Sequence, residues 1–245
     1  MEYNTYRNHS VISNEQIAKD IFKMTIVYQK QMNPGQFFML RAWDSTVPYL
    51  SRPISVCDYD KNIMTFLYLV KGDGTDIISK LQEGKQLSVL GALGNGFDLS
   101  VLKGKVALVS GGIGIAPFKY LARELKKSGS NVTLFAGFKD EPYFIDEMKP
   151  YLDEINLYSE HESKYKKGYP TDEIDENKFD FIVTCGPTLM MNVLKQKIKD
   201  KKKLYLSLEN KMGCGIGACL SCSVKTKDGM KTVCTHGPVF RADEV

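Results

Sequence analysis

The sequence predicts a β-barrel followed by a doubly wound α/β domain and a small cysteine-rich segment. Residues 1–100 contain short apolar runs separated by turn residues, a pattern typical of an antiparallel barrel. Over residues 101–208, near-continuous apolar runs alternate with helical patterns, which predicts a parallel sheet covered by helices. Residues 209–245 are rich in glycine and cysteine and show little periodicity. These changes in apolar pattern and composition predict three domains, which cover residues 1–100, 101–208 and 209–245.

The strands of the barrel region are predicted from β-rich runs bounded by Gly, Pro and Asn. Turn signals occupy residues 33–35, 71–74 and 94–96. The predicted strands cover residues 24–28, 36–40, 63–70 and 86–90. Frequent short strands of this kind favour a small antiparallel barrel.

The second region alternates predicted strands with predicted helices. The strands cover residues 106–109, 132–136, 155–158, 179–184 and 204–208. The helices cover residues 117–127 and 188–199, where apolar residues recur at helical spacing. This alternation indicates a parallel sheet with helices packed on it.

Composition and charge exclude several classes of function. The chain has 245 residues, 43% of them hydrophobic, which is enough for a substantial core. Its net charge of +4 is too small to indicate a nucleic-acid partner. No apolar run approaches the ~18 residues of a membrane span, and residues 1–10 lack the features of a signal peptide. We therefore expect a cytoplasmic protein with no membrane contact.

Four cysteines near the C-terminus form the most specific pattern in the chain. Their spacing is C-x4-C-x2-C-x11-C, and the first part matches the plant-type [2Fe–2S] spacing. The predicted metal ligands are Cys214, Cys219, Cys222 and Cys234. Glycines at 213, 215 and 217 allow sharp turns and bring backbone N–H groups close to the sulfurs.

Other interpretations of the cysteines remain open at this stage. A structural zinc site would usually have paired C-x2–4-C hooks, and here only Cys219 and Cys222 form one. Unligated thiols are the other alternative. Cys57 and Cys185 lie in apolar, strand-like runs and are interpreted as buried small side chains rather than ligands. His236 is interpreted as a loop residue because four thiolates already complete a cluster.

A glycine-rich turn is predicted between the first α/β strand and its helix. Gly111, Gly112 and Gly114 would let the backbone approach a pyrophosphate at the helix N-terminus, and Pro117 suits the first helical turn. This is not the standard G-x-G-x-x-G motif, and a ligand-free turn is the alternative. A second Gly-Pro sequence at residues 185–187 follows a later strand of the same sheet. Ligands bind at that edge of open α/β sheets.

Together, these motifs resemble those of the ferredoxin-NADP reductase family. They are Arg52-Pro53-Ile54-Ser55 after a barrel strand, residues 111–117, and Cys185-Gly186-Pro187. The resemblance implies a barrel that binds FAD and a second domain that binds a nicotinamide nucleotide. Residues 209–222 are similar to the same segment in electron-transfer subunits of class 1B, NAD-dependent dihydroorotate dehydrogenases. This resemblance extends over essentially the whole chain.

The resemblance also implies roles for individual residues. Arg52 would pair with the FAD pyrophosphate, and Ser55 would bond the reactive nitrogen edge of the flavin. Ile54, after Pro53, replaces an aromatic residue that stacks on the flavin in many members of the family. The other implied FAD contacts are Leu67, Tyr68, Leu69, Gly74 and Thr75. The implied NAD contacts are Gly111, Gly112, Gly114, Cys185, Gly186 and Pro187. A surface arginine and a plain core tyrosine are the alternatives for Arg52 and Tyr68.

The implied partner is an FMN-containing catalytic subunit, in a heterotetramer with two copies of each chain. Electrons would run from dihydroorotate through FMN, the cluster and FAD to NAD+, in the biosynthesis of UMP. We find no cysteine or histidine arrangement suited to removing a proton from dihydroorotate, so its oxidation is expected in the partner. Acidic residues at 140 and 141 favour NAD over NADP.

Two alternatives for the function remain open. The first is a related reductase subunit that serves sulfite, polysulfide or ferredoxin. The second is a redox-sensing module with no enzymatic activity, in which the cluster acts as the sensor.

Overall fold

A computed structural model describes residues 5–245 of the chain. Residues 1–4, which belong to the stretch considered above for a signal peptide, lie outside the described residues. Within residues 5–245, no helix combines the length and the apolar character needed to cross a bilayer.

Antiparallel strands form the first part of the fold. They are β1 (Arg7–Ala18), β2 (Ile21–Val27), β3 (Phe37–Arg41), β4 (Arg52–Asp60), β5 (Ile63–Leu69) and β6 (Gln86–Leu93). In the described part of the chain these six strands close a barrel in the order β1-β2-β5-β4-β3-β6. Helix α1 (Asp73–Ser79) lies between β5 and β6. Aromatic and methionine side chains fill the barrel interior, among them Phe38, Phe66 and Met24.

Strands and helices alternate in the second part of the fold. The strands are β7 (Lys105–Gly111), β8 (Asn131–Phe138), β9 (Glu154–Ser159), β10 (Phe181–Cys185) and β11 (Leu204–Ser207). The α-helices are α2 (Phe118–Lys127), α3 (Ile145–Met148) and α4 (Thr188–Lys197). Short 3-10 turns cover Gly112–Ile115, Lys149–Tyr151, Glu176–Lys178 and Lys201–Lys203. Helix α2 buries Phe118, Leu121 and Leu125 against the sheet, which explains its helical apolar spacing.

The C-terminal segment adds a hairpin, one helical turn and an edge strand. These elements are β12 (Ser223–Thr226), β13 (Gly229–Thr232), α5 (Val233–His236) and β14 (Val239–Arg241). Strand β14 pairs antiparallel with β11 and extends the α/β sheet to the order β14-β11-β10-β7-β8-β9. The sequence order reverses between β7 and β10, and ligands bind at such switch points.

The cysteine-rich segment packs on the barrel through an apolar cluster. Phe37, Met39 and Leu93 of the barrel contact Met212 and Phe240 of the C-terminal segment. The buried thiols of Cys222 and Cys234 belong to the same cluster. This contact attaches the cysteine loop to strands β3 and β6.

The predicted fold class is confirmed, and each predicted strand and helix is present with small shifts in its ends. Of the strands and α-helices described above, eight were not predicted: β1, β4, α1, α3, β12, β13, α5 and β14. Residues 52–55 follow β3 only after a loop and form the start of β4 itself, and residues 73 and 74 open a helix rather than a turn. The limits of the three domains stay a prediction. Strand β14, which belongs to the predicted third domain, pairs with β11 of the second.

Candidate functional site

A cavity of about 330 Å³ lies where the three parts of the fold meet. The barrel contributes Arg52, Pro53, Ile54, Ser55, Leu67, Tyr68, Leu69 and Thr75 to its wall, all of them predicted site residues. The glycine-rich turn contributes Ile113, Ala116 and Pro117, and the C-terminal segment contributes Glu209, Asn210 and Met212. Residues that are distant in sequence therefore line one pocket, although its wall includes neither the predicted NAD contacts nor the four cysteines.

The start of β4 places Arg52 at the rim of this pocket. Its guanidinium lies over Gly74, where an added Cβ would come within 2.4 Å of the Arg52 Nε. The same guanidinium donates a hydrogen bond to the Leu50 carbonyl and lies 5.7 Å from the centre of the Trp43 ring. A side chain at residue 74 would therefore displace the Arg52 guanidinium from this position.

Strand β5 presents its two faces to different surroundings. The Tyr68 ring points into the barrel, stacks on Phe22 at 5.9 Å, and its hydroxyl donates to Asn14 Oδ1 at 2.8 Å. Tyr68 is therefore a core side chain whose backbone reaches the cavity wall. Leu67 and Leu69 lie on the other face, as the alternation of a strand requires.

Thr75 shapes the turn that leads into α1. Its hydroxyl accepts hydrogen bonds from the backbone N–H groups of Lys71 at 3.0 Å and Gly72 at 3.3 Å, and it donates to the Gly72 carbonyl at 2.9 Å. These bonds hold the backbone N–H groups at the start of the helix next to Arg52. Unpaired N–H groups at a helix start and a guanidinium both suit a pyrophosphate.

The two glycine motifs of the α/β domain are in direct contact. A Cβ on Gly114 would lie 2.2 Å from the Cys185 carbonyl oxygen, and one on Gly111 would lie 2.7 Å from Pro187 Cδ. A Cβ on Gly186 would lie 2.9 Å from the Gly111 nitrogen. By contrast, nothing lies within 4 Å of the corresponding position on Gly112, whose φ is +54°. The turn thus leaves open space for a ligand above Gly112.

Glu209 is a pocket residue that was not predicted. It is exposed at the mouth of the cavity, yet the surrounding protein removes enough water to raise the pKa of its carboxyl group, while Lys71 opposes that shift. Burial and the nearby Glu209 carboxylate together raise the pKa of the Cys185 thiol. Glu209 lies two residues after the end of β11, at the carboxyl edge of the parallel sheet, and this position is the signal that could have identified it.

The acidic residues after β8 are paired with side chains that follow β9. Asp140 Oδ1 lies 2.7 Å from His161 Nδ1, and Glu141 forms an ion pair with Lys164. The hydrogen bond from His161 lowers the pKa of Asp140. A carboxylate therefore stands at the sheet edge beside the glycine turn, since β8 neighbours β7.

The four predicted cysteine ligands fall into two pairs. The backbone N–H groups of Cys214 and Cys219 each lie 3.4 Å from the sulfur of the other residue. Cys222 lies close enough to Cys234 to raise the pKa of its thiol, and the Gly217 N–H donates to Cys234 Sγ at 3.2 Å. Among residues 5–245, no three His, Cys, Asp or Glu side chains converge closely enough to hold a single metal ion. Two thiolate pairs fit two irons better than one tetrahedral zinc.

The surroundings of these sulfurs shift the pKa values of Cys219 and Cys234 in opposite directions. The Ser221 hydroxyl, 3.2 Å from Cys219 Sγ, and nearby backbone N–H groups lower the pKa of Cys219 to about 6. Burial and the neighbouring Cys222 raise the pKa of Cys234 to about 11. Gly215 has a φ of +75°, and a Cβ there would lie 2.7 Å from Met39 Cγ. This glycine is therefore required both for the turn and for packing on the barrel.

Comparison with known proteins identifies relatives along the whole chain. Residues 209–245 match the family model described as the iron–sulfur cluster binding domain of dihydroorotate dehydrogenase B. An electron transfer subunit of dihydroorotate dehydrogenase B (NAD(+)) from Clostridium acetobutylicum is 44% identical over 98% of this chain and 97% of its own length. The subunit of the same name from Clostridium perfringens is 37% identical over 98% of both chains.

Solved structures share the fold. The NADH-dependent reduced ferredoxin-NADP oxidoreductase, described in a study of flavin-based electron bifurcation, superposes with a TM-score of 0.86 and 31% identity. The match covers 97% of this chain and 89% of that one. A ferredoxin NADP+ reductase from Neisseria gonorrhoeae, with bound FAD and NADP, has a TM-score of 0.65 at 13% identity and shows the fold alone.

These matches confirm the predicted resemblance, the oxidoreductase class and, for the family, the cofactor set of FAD, a [2Fe–2S] cluster and NAD. They do not favour the alternative of a reductase subunit for sulfite, polysulfide or ferredoxin. The chain therefore belongs to the family of electron-transfer subunits of NAD(+)-dependent dihydroorotate dehydrogenase B.

Proposed function

We propose that this chain carries electrons between an FMN-containing subunit that oxidises dihydroorotate and NAD+. The observation that carries the proposal is the single cavity lined by the flavin strand, the glycine-rich turn and the cysteine segment. One cavity shared by all three would bring a flavin within reach of both a nicotinamide nucleotide and a cluster. The family's name as an electron transfer subunit supports this reading.

The barrel side of the cavity suits FAD. Arg52 and the N–H groups at the start of α1 would hold the pyrophosphate, with Gly74 and Thr75 shaping that turn. Ser55, Leu67 and Leu69 would border the flavin ring, and Tyr68 would contribute backbone groups. Pro53 and Ile54 complete this wall.

The α/β side suits NAD. The open space above Gly112 would receive the phosphates, and the contacts of Gly111 and Gly114 with residues 185–187 hold that turn in place. Cys185, Gly186 and Pro187 would border the nicotinamide end. Asp140 would accept a hydrogen bond from a free ribose hydroxyl and repel a 2′-phosphate, which favours NAD over NADP.

The cysteine segment suits a [2Fe–2S] cluster. Cys214 and Cys219 would hold one iron, and Cys222 and Cys234 the other, because each residue of the first pair donates its N–H to the sulfur of the other and Cys222 neighbours Cys234. When bound, FAD exchanges a hydride with NAD(H) and single electrons with the cluster. The Gly217 N–H and the Ser221 hydroxyl would donate hydrogen bonds to the sulfurs and tune the cluster's potential.

The catalytic subunit would dock over the cysteine loop. Ile216 and Leu220, 44% and 63% exposed, flank the more accessible cysteine pair and give a partner an apolar surface. The proposed assembly is a heterotetramer with two copies of each chain. The proposed location is the cytoplasm, where cysteines stay reduced and can bind iron. Among residues 5–245 we find no cysteine or histidine arrangement suited to removing a proton from dihydroorotate, so its oxidation would belong to the partner.

The test is anaerobic purification of the full chain, followed by absorbance spectroscopy and assays for iron, sulfide, zinc and flavin. We expect iron, sulfide and FAD in the ratio set by one [2Fe–2S] cluster and one flavin, with the flavin reduced by NADH. Co-purification with the FMN subunit should then give NAD+-dependent oxidation of dihydroorotate. Zinc in place of iron, or a chain without flavin, would remove the proposed function.

A further inference from the structure

An ion network that is buried at its centre and 36% exposed at Glu147 connects the barrel to the α/β domain behind the cofactor cavity. Lys119 of α2 lies 3.2 Å from Asp58 of β4 and 2.8 Å from Glu147 of α3. Arg123, one turn further along α2, forms an ion pair with the same Asp58 and donates to the Tyr59 carbonyl. The side chains of Lys119, Arg123 and Asp58 are only 14%, 9% and 11% exposed.

The network continues across the domain boundary through a second lysine. Lys23 of β2 lies 2.9 Å from Glu147 and 2.8 Å from Glu15. Acidic and basic side chains of the barrel and the α/β domain therefore alternate along this series of contacts, in the order Glu15, Lys23, Glu147, Lys119 and Asp58. A separate buried hydrogen bond runs from the Tyr120 hydroxyl to the Met32 carbonyl at 2.9 Å.

Both linked elements carry cofactor residues at their other ends. Strand β4 begins with Arg52–Ser55 in the cavity wall and reaches Asp58 only after a β-bulge between Val56 and Asp58. Helix α2 follows directly on the glycine-rich turn, whose Ala116 and Pro117 also line the cavity. The ion pairs of Asp58 with Lys119 and Arg123 thus join strand β4 to helix α2 close to the ends that line the cavity.

Apolar packing alone would join the two domains without fixing their angle. The shared core places Ile21, Cys57 and Leu67 of the barrel against Phe118 and Leu121 of α2. Such surfaces can slide with little change in buried area, whereas a paired and desolvated ion network has few alternative arrangements. Buried ion pairs add little to stability when they can be replaced by apolar groups, so orientation is the better account of this network.

We propose that Asp58, Lys119, Arg123 and Glu147 are positioning residues that hold the nucleotide turn against the flavin strand and so set the rate of hydride transfer. This inference rests on the proposed function. In the step concerned, NADH loses a hydride and becomes NAD+, the C–H bond breaks as an N–H bond forms on FAD, and FAD gains two electrons. Displacement of reacting groups by about 1 Å can slow a reaction about a hundredfold.

The experiment compares flavin reduction by NADH in holoprotein variants by stopped flow, with hydrogen exchange as the second measurement. Lys119→Met keeps the length of the side chain and removes its charge, whereas Lys119→Arg keeps the charge. Lys126→Met is the matched control, because Lys126 lies on the same helix and pairs with Asp153 at 2.8 Å inside the α/β domain. FAD and iron contents are measured for each variant.

We expect Lys119→Met to slow hydride transfer about tenfold or more while the NADH Kd changes less than about threefold. Amide exchange should rise at Tyr59 and around Met32, Lys119→Arg should recover most of the rate, and Lys126→Met should match the parent. If Lys119→Met does not fold, Asp58→Asn is judged by the same two measurements.

An unchanged transfer rate in Lys119→Met, or an equal loss in Lys126→Met, would overturn the inference. Failure of the proposed function is distinguishable, because the unaltered chain would then not be reduced by NADH at all.

Discussion

Gly114 lies directly against the backbone of Cys185, so that a Cβ on the glycine would come within 2.2 Å of the cysteine carbonyl oxygen. This contact joins the turn after β7 to the end of β10, the two strands at which the sheet order reverses. The proposed NAD site thus depends on the absence of a side chain at this position.

Gly114→Ala should therefore weaken NADH binding. The extra methyl group must push apart the two backbone segments, and overpacking of this kind costs about 1–3 kcal/mol. We expect NADH affinity, measured by titration of the holoprotein, to fall about tenfold or more. Gly129→Ala controls for strain away from this contact, because nothing lies within 4 Å of its Cβ position but its φ of +81° disfavours a side chain. Equal affinities in the two variants would contradict a role for this contact.

Arg52→Ala should release FAD. The guanidinium over Gly74 is the charged group of the cavity wall best placed for a pyrophosphate, and a hydrogen bond to a charged group contributes about 1.5–3 kcal/mol. We expect FAD to bind about tenfold to a hundredfold more weakly, as measured by flavin fluorescence. Arg41→Ala is the control, since Arg41 also lies over the Trp43 ring, at 5.1 Å, but outside the cavity. A similar loss of FAD in both would indicate disruption of the loop rather than loss of a ligand contact.

The sequence predicts the parallel sheet and the cysteine loop well, because each depends on a local pattern. Strands such as β7 and β10 are continuous apolar runs, and the cysteine spacing is short. Strand β1 was missed because most of its residues are polar and exposed or half-buried, so no alternation is visible. The Gly-Asp-Gly sequence at residues 72–74 has the composition of a turn, yet it forms the first turn of α1.

Pairings between distant residues could not be predicted. Nothing near Asp58 in the sequence indicates that Lys119 and Arg123 will face it, because their contact depends on how the two domains pack. Glu209, by contrast, lies near Cys185 because β10 and β11 are neighbouring parallel strands, so only its contact with the barrel side of the cavity depends on the packing of the domains.

Cys222→Ser should remove the cluster and leave the flavin in place. Cys222 is a buried member of the second sulfur pair, while the predicted FAD residues belong to the barrel. We expect iron and sulfide to be lost, FAD to be retained, and NADH still to reduce the flavin. Cys57→Ala is the matched control, because it removes another fully buried thiol far from the cysteine loop in sequence. Iron retained at the parent's level in Cys222→Ser would count against the assigned ligands.

Low pH should weaken the network between the domains. Burial alone would raise the pKa of Glu147, but hydrogen bonds from Lys119 and Lys23 outweigh it and lower the pKa below its usual 4.5. A lowered folded pKa means that Glu147 stabilises the fold above about pH 4.5, and that this contribution is lost as the pH falls through the folded pKa. The urea midpoint of the parent should therefore fall more steeply below about pH 4.5 than that of Glu147→Gln. Parallel curves would show that Glu147 makes no pH-dependent contribution.

Replacing Leu220 by glutamate should weaken assembly with the FMN subunit. Leu220 is 63% exposed and has a φ of +57°, so its side chain projects from the cysteine loop where an apolar partner surface would cover it. Burying an unpaired carboxylate in such an interface costs about 2 kcal/mol or more, which corresponds to about thirtyfold weaker binding or more. Val101→Glu is the control, because Val101 is 45% exposed and lies in the connection between β6 and β7. The affinity of each variant for the purified FMN subunit is measured by biolayer interferometry, together with iron content to confirm that the loop is intact. If Leu220→Glu binds the subunit as tightly as Val101→Glu does, the partner docks elsewhere, and electrons must leave the cluster by another face.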